Sequence, residues 1–214
     1  MLKKIIEVKA GKNRGAVDVL FDDGSTISVN RRLAEKAGLR SYLEIESRTL
    51  DKLIKEDDAE RCHEAALNYL EYRPRSEAEL RQHLLYKKHF QAESVTDTIA
   101  GLKKLKLIDD RVFAENWTRD RAAFRPKSRF MIKRELLQKG IDFEIADEAT
   151  KGIEDQDSAY KAGLKKARLL KQLEYREFVK RLSAYLARRG YASDVVNNVT
   201  IRLWHEITGK KAEK

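Results

Sequence analysis

Apolar and polar positions alternate with period two over the first fifty or so residues. Ile5, Glu7 and Lys9 fall on one side and Ile6, Val8 and Ala10 on the other, and Val17, Val19 and Phe21 lead through Asp22-Asp23-Gly24-Ser25 to Ile27 and Val29. Asp-Gly between two such runs predicts a hairpin, because glycine takes the positive φ of the tight turn. Residues 31–37 read as a short helix stopped by Gly38. Two or three strands bury too little surface to stand alone, so this region is expected to pack with that helix or against the body that follows. The charged, helix-compatible stretch 51–61 is expected to connect the two parts.

From residue 59 the period becomes helical. Ala59, Cys62, Ala65, Ala66, Tyr69 and Leu70 form one stripe, which ends before Pro74. Ser76 and Glu79 make a Ser-x-x-Glu capping box that starts a second helix, with Leu80, Leu84 and Leu85 inward. A third helix is expected from Ser94, capped by Ser94 and Asp97 and carrying Val95, Ile99, Leu102 and Leu105. The pattern then recurs. Asp109-Asp110 opens a helix bearing Val112, Phe113, Asn116 and Trp117, and Arg125-Pro126-Lys127-Ser128 repeats Arg73-Pro74-Arg75-Ser76. Ile132, Leu136 and Leu137 stand where Leu80, Leu84 and Leu85 stood, and Lys139-Gly140-Ile141 closes that helix on a left-handed glycine.

A looser third copy runs through Ala159, Ala162, Gly163 and Lys166, then Phe178, Leu182, Tyr185 and Leu186, to Arg188-Arg189-Gly190-Tyr191, and ends with Val195, Val196, Val199 and Leu203. Self-similarity near 50 residues predicts tandem three-helix units. The expected fold is mainly α: three tandem three-helix repeats in an elongated, curved body, with a small N-terminal extension containing a β-hairpin. The expected boundaries are 1–50 for the extension, 51–108 for the connecting helix and first repeat, 109–156 for the second and 157–214 for the third.

Charge adds a partner class to this picture. The net +10 lies beyond residue 60, because residues 1–60 hold twelve basic and twelve acidic side chains. Residues 111–140 hold nine basic against three acidic, 141–160 one against seven, and 161–192 ten against two. Two basic blocks separated by an acidic joint fit a polyanion or an acidic protein groove. In the second repeat Arg119, Arg121, Arg125, Lys127, Arg129, Lys133 and Arg134 surround one helix junction, interleaved with Phe124 and Phe130. Arginine forks there and the amides opening the Ser128 helix predict an anion site. Arg73 and Arg75 occupy the equivalent junction of the first repeat, and Lys165, Lys166, Arg168, Lys180, Arg181, Arg188 and Arg189 are candidates for the same face in the third. Reversing charge at Arg125, Lys127 and Arg129 together is expected to spare the fold. Trp117, at helical spacing from Phe113, reads as core.

Catalytic chemistry finds little support. There is no Gly-rich phosphate loop, and His63, His83, His89 and His205 share no metal-ligand spacing. The pairs Asp22-Asp23, Asp57-Asp58 and Asp109-Asp110 would suit a two-metal nuclease only if the fold brought further ligands, and they read more simply as turn, linker and cap. The single cysteine, Cys62, excludes an internal disulfide and fits a core position. No apolar run approaches the ~18 residues of a membrane span, and no leader pattern opens the chain, so a cytoplasmic protein is expected, not an enzyme, with no cofactor and no metal.

The three repeats, with Arg73-Pro74-Arg75-Ser76-Glu77-Ala78-Glu79-Leu80 in the first and Phe113-Ala114, Trp117, Lys127-Ser128 and Leu136-Leu137-Gln138-Lys139-Gly140 in the second, resemble the RecX family across residues 60–205. The resemblance implies a regulator that binds RecA recombinase filaments on single-stranded DNA, lies in their helical groove, and suppresses ATP hydrolysis and strand exchange. It further implies a place in DNA recombination, repair and SOS control. Charge without groove-reading elements predicts weak, non-specific binding to single-stranded DNA, and a monomer with no membrane partner is expected. Two departures stand out: the first repeat closes on Lys88-His89-Phe90 in place of a basic-Gly-hydrophobic end, and the third lacks the Pro-x-Ser cap. The alternative reading is a free-standing, non-specific nucleic-acid-binding protein of helix-turn-helix-like modules.

Overall fold

In the computed structural model, which describes residues 2–12 and 15–209, the alternating N-terminal segment forms a four-stranded antiparallel sheet. Its strands are β1 (Leu2–Ala10), β2 (Ala16–Phe21), β3 (Thr26–Asn30) and β4 (Glu44–Glu46), in the order β3-β2-β1-β4. The hairpin turns where Asp-Gly predicts, with Gly24 at φ +79 and its amide bonded to the Phe21 carbonyl. The strict alternation read for β1 does not hold. Ile5 pairs with Phe21 and Glu7 with Leu20, so Ile6 is an extra, bulged residue and points out to solvent. The bulge resets the pleat and brings Ile5 and Val8 against the same core, formed with Val17, Val19, Phe21, Val29 and Ile45.

That core is completed by Ala34 of α1 (Arg31–Lys36) and by Leu50 of α2 (Ser47–Glu71). The stretch expected to be a connector is therefore the middle of one 25-residue helix that serves the sheet with one end and the first repeat with the other. Two carboxylates of α2 tie its neighbours to it. Asp57, only 3% exposed, accepts the Asn30 amide at 2.6 Å and faces Arg61 at 3.4 Å, and Asp58 accepts the Gln91 amide at 3.2 Å.

The described chain divides into two compact units. The first holds residues up to Pro74 together with Leu80–Leu107, and the second holds Arg75–Glu79 together with everything from Ile108 onward. In the first unit Cys62 and Ala66 of α2, Leu80 of α3 (Glu77–Gln82), Leu84, and Val95, Ile99 and Leu102 of α4 (Ala92–Lys104) are buried. The α4 helix starts two residues before the expected Ser94 cap. Its N-cap is Gln91, whose amide Asp58 holds, and Ser94 is buried within the first turn.

The odd ending of this repeat has a physical cause. One residue more lies between Ser76 and Phe90 than between Ser128 and Ile141, and the chain absorbs it as a π-helical turn, His83–Lys87, after α3. The closing bond accordingly runs from the Phe90 amide to the Leu84 carbonyl, a step wider than Ile141 to Leu136 in the second repeat.

In the second unit α5 (Asp110–Phe124), α6 (Arg129–Gln138) and α7 (Phe143–Thr150) bury Phe113, Ala114, Leu136, Ile141 and Ala146 together. Helices α8 (Asp155–Leu170), α9 (Tyr175–Ala187) and α10 (Ser193–Thr208) bury a larger set that includes Phe178, Leu182, Leu186, Val199, Leu203 and Trp204. Helix α8 begins one turn before Ala159, and α9 starts without a side-chain cap. Residues 210–214, which the sequence assigns to the third repeat, lie outside the described residues.

Within this unit two junctions share one chemistry. The Ser76 hydroxyl accepts the Glu79 amide at 3.1 Å as a cap and donates to the Lys139 carbonyl at 2.6 Å, while the Glu77 amide donates to Asp110 at 2.9 Å. The Ser128 hydroxyl accepts the Met131 amide, the Ser128 amide donates to the Arg189 carbonyl at 3.1 Å, and the Arg129 amide donates to Asp155 at 2.7 Å. In both, the capped start of one middle helix abuts the glycine that ends the next. Gly140 (φ +75) leaves no space for a side chain beside the Ala78 methyl, and Gly190 (φ +84) none beside Met131 and the Ser128 hydroxyl. At the end of the first repeat the left-handed position is His89, at φ +60.

Gly190→Ala and Gly140→Ala should each lower stability by more than about 2 kcal/mol in chemical denaturation, since left-handed strain and overpacking add. Ala78→Gly should recover part of the loss in Gly140→Ala and none of that in Gly190→Ala. Gly101, inside α4 with open space around it, should behave oppositely, Gly101→Ala stabilising by about 0.5–1 kcal/mol.

Candidate partner-binding surface

The basic residues of the second repeat separate into two classes. Arg121 on α5 and Lys127 in the α5–α6 loop converge on one carboxylate, Glu135 of α6: the Arg121 Nε donates at 2.6 Å, the Trp117 Nε1 at 3.0 Å, and Lys127 Nζ pairs with the other oxygen. The Arg121 guanidinium lies 4.2 Å from the Trp117 ring centroid and Lys139 Nζ lies 4.3 Å from it, with Lys139 also bonded to Glu79 at 2.8 Å. A second carboxylate, Asp147 of α7, receives Arg129 at 3.2 Å and Lys133 at 2.7 Å, and Lys133 sits 3.5 Å over the Phe143 ring. These cations hold α5, α6 and α7 together.

Burial pushes the Glu135 carboxyl up, but hydrogen bonds from Lys127, Arg121 and Trp117 outweigh it and hold the group below its ordinary value of 4.5. Asp147 is held low mainly by Lys133. The expectation that Lys127 and Arg129 can be reversed without harm to the fold is therefore corrected: Lys127 neutralises a half-buried glutamate, and Arg129 faces Asp147 while its amide is held by Asp155.

Of the candidate residues in this repeat Arg119, Arg125 and Arg134 are exposed, and so are Arg111 and Lys151 elsewhere in it. Arg119 makes a 3.4 Å bond to Asn116, one turn back on α5. In the first unit Arg73 is exposed and its Nη1 donates to the Pro74 carbonyl at 2.9 Å, and in the second Arg75 is half-buried. In the third repeat Lys165 and Arg168 are exposed one turn apart on α8, with Lys166 half-buried between them. On α9 Lys180 and Arg181 are exposed, Arg181 pairing with Glu177 at 2.6 Å. Arg188 is exposed, and Arg189 packs its guanidinium 3.7 Å from the Tyr185 ring centroid. At the helix start the amides of Ser128, Arg129 and Met131 are already bonded, to the Arg189 carbonyl, the Asp155 carboxylate and the Ser128 hydroxyl. Trp117 packs on Phe113, at 5.9 Å between ring centroids, and against the core of this repeat, as a core residue would, while its indole N–H donates to Glu135 and its ring meets Arg121 and Lys139.

The aspartate pairs are engaged structurally. Asp22 and Asp23 bind the Lys4 amide and the Lys3 and Ser25 side chains, Asp57 and Asp58 hold the Asn30 and Gln91 amides, Asp109 caps α5, and Asp110 receives the Glu77 amide. Among the described residues no group of three or more His, Cys, Asp or Glu is gathered to hold a metal, and no helix is long and apolar enough to cross a membrane. What remains is a set of exposed guanidinium and ammonium groups on well-packed helices, suited to binding anionic surface.

Replacing Glu135 by Gln should cost about 1.5–3 kcal/mol at neutral pH, as charge-assisted bonds are lost. Because the folded carboxyl titrates below 4.5, its contribution is complete above that pH and is lost as pH falls through the folded value. The stability gap between wild type and Glu135→Gln, followed by urea unfolding, should therefore close in acid. A gap that stays constant down to about pH 3 would contradict this role for the carboxylate.

Comparison with known proteins accounts for the repeats. The family model for the RecX first three-helix domain matches residues 62–102, that for the second matches 109–149, and that for the third matches 153–200. The regulatory protein RecX of Bacillus licheniformis is 30% identical over 197 residues, covering 90% of this chain and 74% of that protein. The Clostridium perfringens (strain 13 / Type A) protein of the same name is 29% identical over 206 residues, covering 94% and 96%. A crystal structure of RecX from Lactobacillus salivarius superposes with a TM-score of 0.60 at 27% identity, covering 69% of this chain and 97% of that one. A further crystal structure of a regulatory protein RecX covers 92% of this chain and 98% of its own, with a TM-score of 0.62 at 22% identity, and shares the fold. With all three of its helical repeats matched in order and a 30% identical relative spanned for most of its length, the chain belongs to the RecX family.

Proposed function

We propose that this chain regulates a RecA-type recombinase by binding its filament on single-stranded DNA and restraining ATP hydrolysis and strand exchange. The observation that carries the reading is the exposed arginine set Arg119, Arg125 and Arg134 on the second repeat of a RecX-family chain. The neighbouring cations are paired with Glu135 and Asp147, whereas these three are exposed, Arg119 on α5, Arg125 just past its end and Arg134 on α6. Together with Lys165, Arg168, Lys180 and Arg188 in the third repeat they give two basic surfaces. Such a pair suits simultaneous contact with acidic protein surface and DNA phosphates along a filament groove, where linked contacts reinforce one another. On this reading the chain acts as a monomer in the cytoplasm, in recombination, repair and SOS control. It binds naked single-stranded DNA weakly and without sequence preference, and uses no catalytic residue.

The triple variant Arg119→Glu, Arg125→Glu, Arg134→Glu should need at least about a hundred-fold more protein to inhibit recombinase ATPase, since each charge-assisted hydrogen bond to the partner strengthens binding in its own right. Its melting temperature should stay within about 2 °C of wild type, because the three side chains are exposed and Arg125, the C-cap of α5, caps through its backbone amide and not its side chain. Unchanged inhibition by a normally melting triple variant would rule out this surface. No inhibition by the wild-type chain would favour the free-standing nucleic-acid-binding reading.

A further inference from the structure

The sequence Tyr72-Arg73-Pro74-Arg75-Ser76 recurs 52 residues later as Phe124-Arg125-Pro126-Lys127-Ser128. In each copy the proline ends the first helix of a repeat, the serine caps the second, and both serve the fold. The aromatic residue does not. Tyr72, the C-cap of α2, is 85% exposed, and Phe124, the last residue of α5, is 80% exposed. Single exposed apolar residues are ordinary on protein surfaces. Two near-naked aromatic rings at the same position of two repeats, each followed by an exposed arginine, are a patterned feature that no core packing requires.

We infer that Tyr72 with Arg73 and Phe124 with Arg125 are two equivalent platforms for unpaired nucleobases, each ring stacking on a base while its arginine meets the adjoining phosphate. This rests on the proposed function, within which it names how the bare strand is touched. A protein partner is marked by a contiguous apolar patch of several hundred Å², whereas each ring is followed in sequence by arginine and proline. One ring beside one guanidinium matches one base beside one phosphate, the pairing used by proteins that hold single strands without reading sequence. Phe124 lies in the strongly basic segment with Asp120 one turn behind it, while Tyr72 follows Glu71, so the second platform should contribute more.

The test is binding of a fluorescent oligo(dT) strand and of an abasic deoxyribose-phosphate strand of equal length, without recombinase, at about 50 mM salt where such binding is measurable. The wild-type chain should prefer the base-bearing strand. Tyr72→Ala with Phe124→Ala should weaken oligo(dT) binding at least about tenfold, leave abasic binding and its salt dependence unchanged, and melt normally. Tyr72→Trp with Phe124→Trp should restore affinity, with tryptophan emission quenched by the strand. Equal wild-type affinity for both strands, equal losses on both in the alanine variant, or no loss at all would each overturn the inference. So would a loss confined to recombinase-coated strands, which would assign the rings to protein. Inhibition of recombinase ATPase by the wild-type chain is scored separately, so failure of the regulatory reading and failure of the stacking platforms remain distinguishable.

Discussion

The start of one middle helix and the end of the next meet, in the second unit, through a single arrangement: a capping serine set against a left-handed glycine. The Ser76 hydroxyl donates to the Lys139 carbonyl beside Gly140, and the Ser128 amide donates to the Arg189 carbonyl beside Gly190. The glycines answer two demands at once, a positive φ and the absence of a Cβ where Ala78 or Met131 approaches. Polar groups that helix ends would otherwise leave open are closed across the junction, with Asp110 and Asp155 taking the Glu77 and Arg129 amides. The first repeat shows the same logic by exception. His89 takes the left-handed position of an end that carries its Cβ, and the chain accommodates its extra residue as a π-turn.

The closed junctions bear directly on function. Three amides at the Ser128 helix start are already bonded within the fold, and Arg121, Lys127, Arg129 and Lys133 of the second repeat are paired with Glu135 and Asp147, two cations to each carboxylate. Among the candidate cations of these two repeats, those exposed are Arg119, Arg125 and Arg134 in the second and Lys165, Arg168, Lys180, Arg181 and Arg188 in the third.

Much of this was readable from spacing alone. The 52-residue recurrence of Arg-Pro-basic-Ser, the Ser76–Glu79 box, the Asp109 cap, the Asp-Gly turn and the core stripes are local signals, and local signals survive without knowledge of tertiary neighbours. What escaped depends on distant partners. β4 is three residues long and exists because β1 offers it an edge. The bulge at Ile6 appears only once Phe21 and Leu20 set the register. The start of α4 is set by Asp58, 33 residues away, and not by Ser94. Among the basic residues, sequence could count charges but could not show that Glu135 takes up Arg121 from 14 positions away, and so it could not separate cations that hold helices together from cations that face a partner.

The central proposal is that this chain prefers a recombinase filament to bare DNA. The most direct measurement is a titration, at about 150 mM salt, of labelled single-stranded DNA either bare or fully coated with recombinase, where simple phosphate attraction is largely screened. The account predicts saturable binding to the coated strand at least about a hundredfold tighter than to the bare strand, because protein surface and phosphates are engaged together. Equal affinity for the two would contradict it.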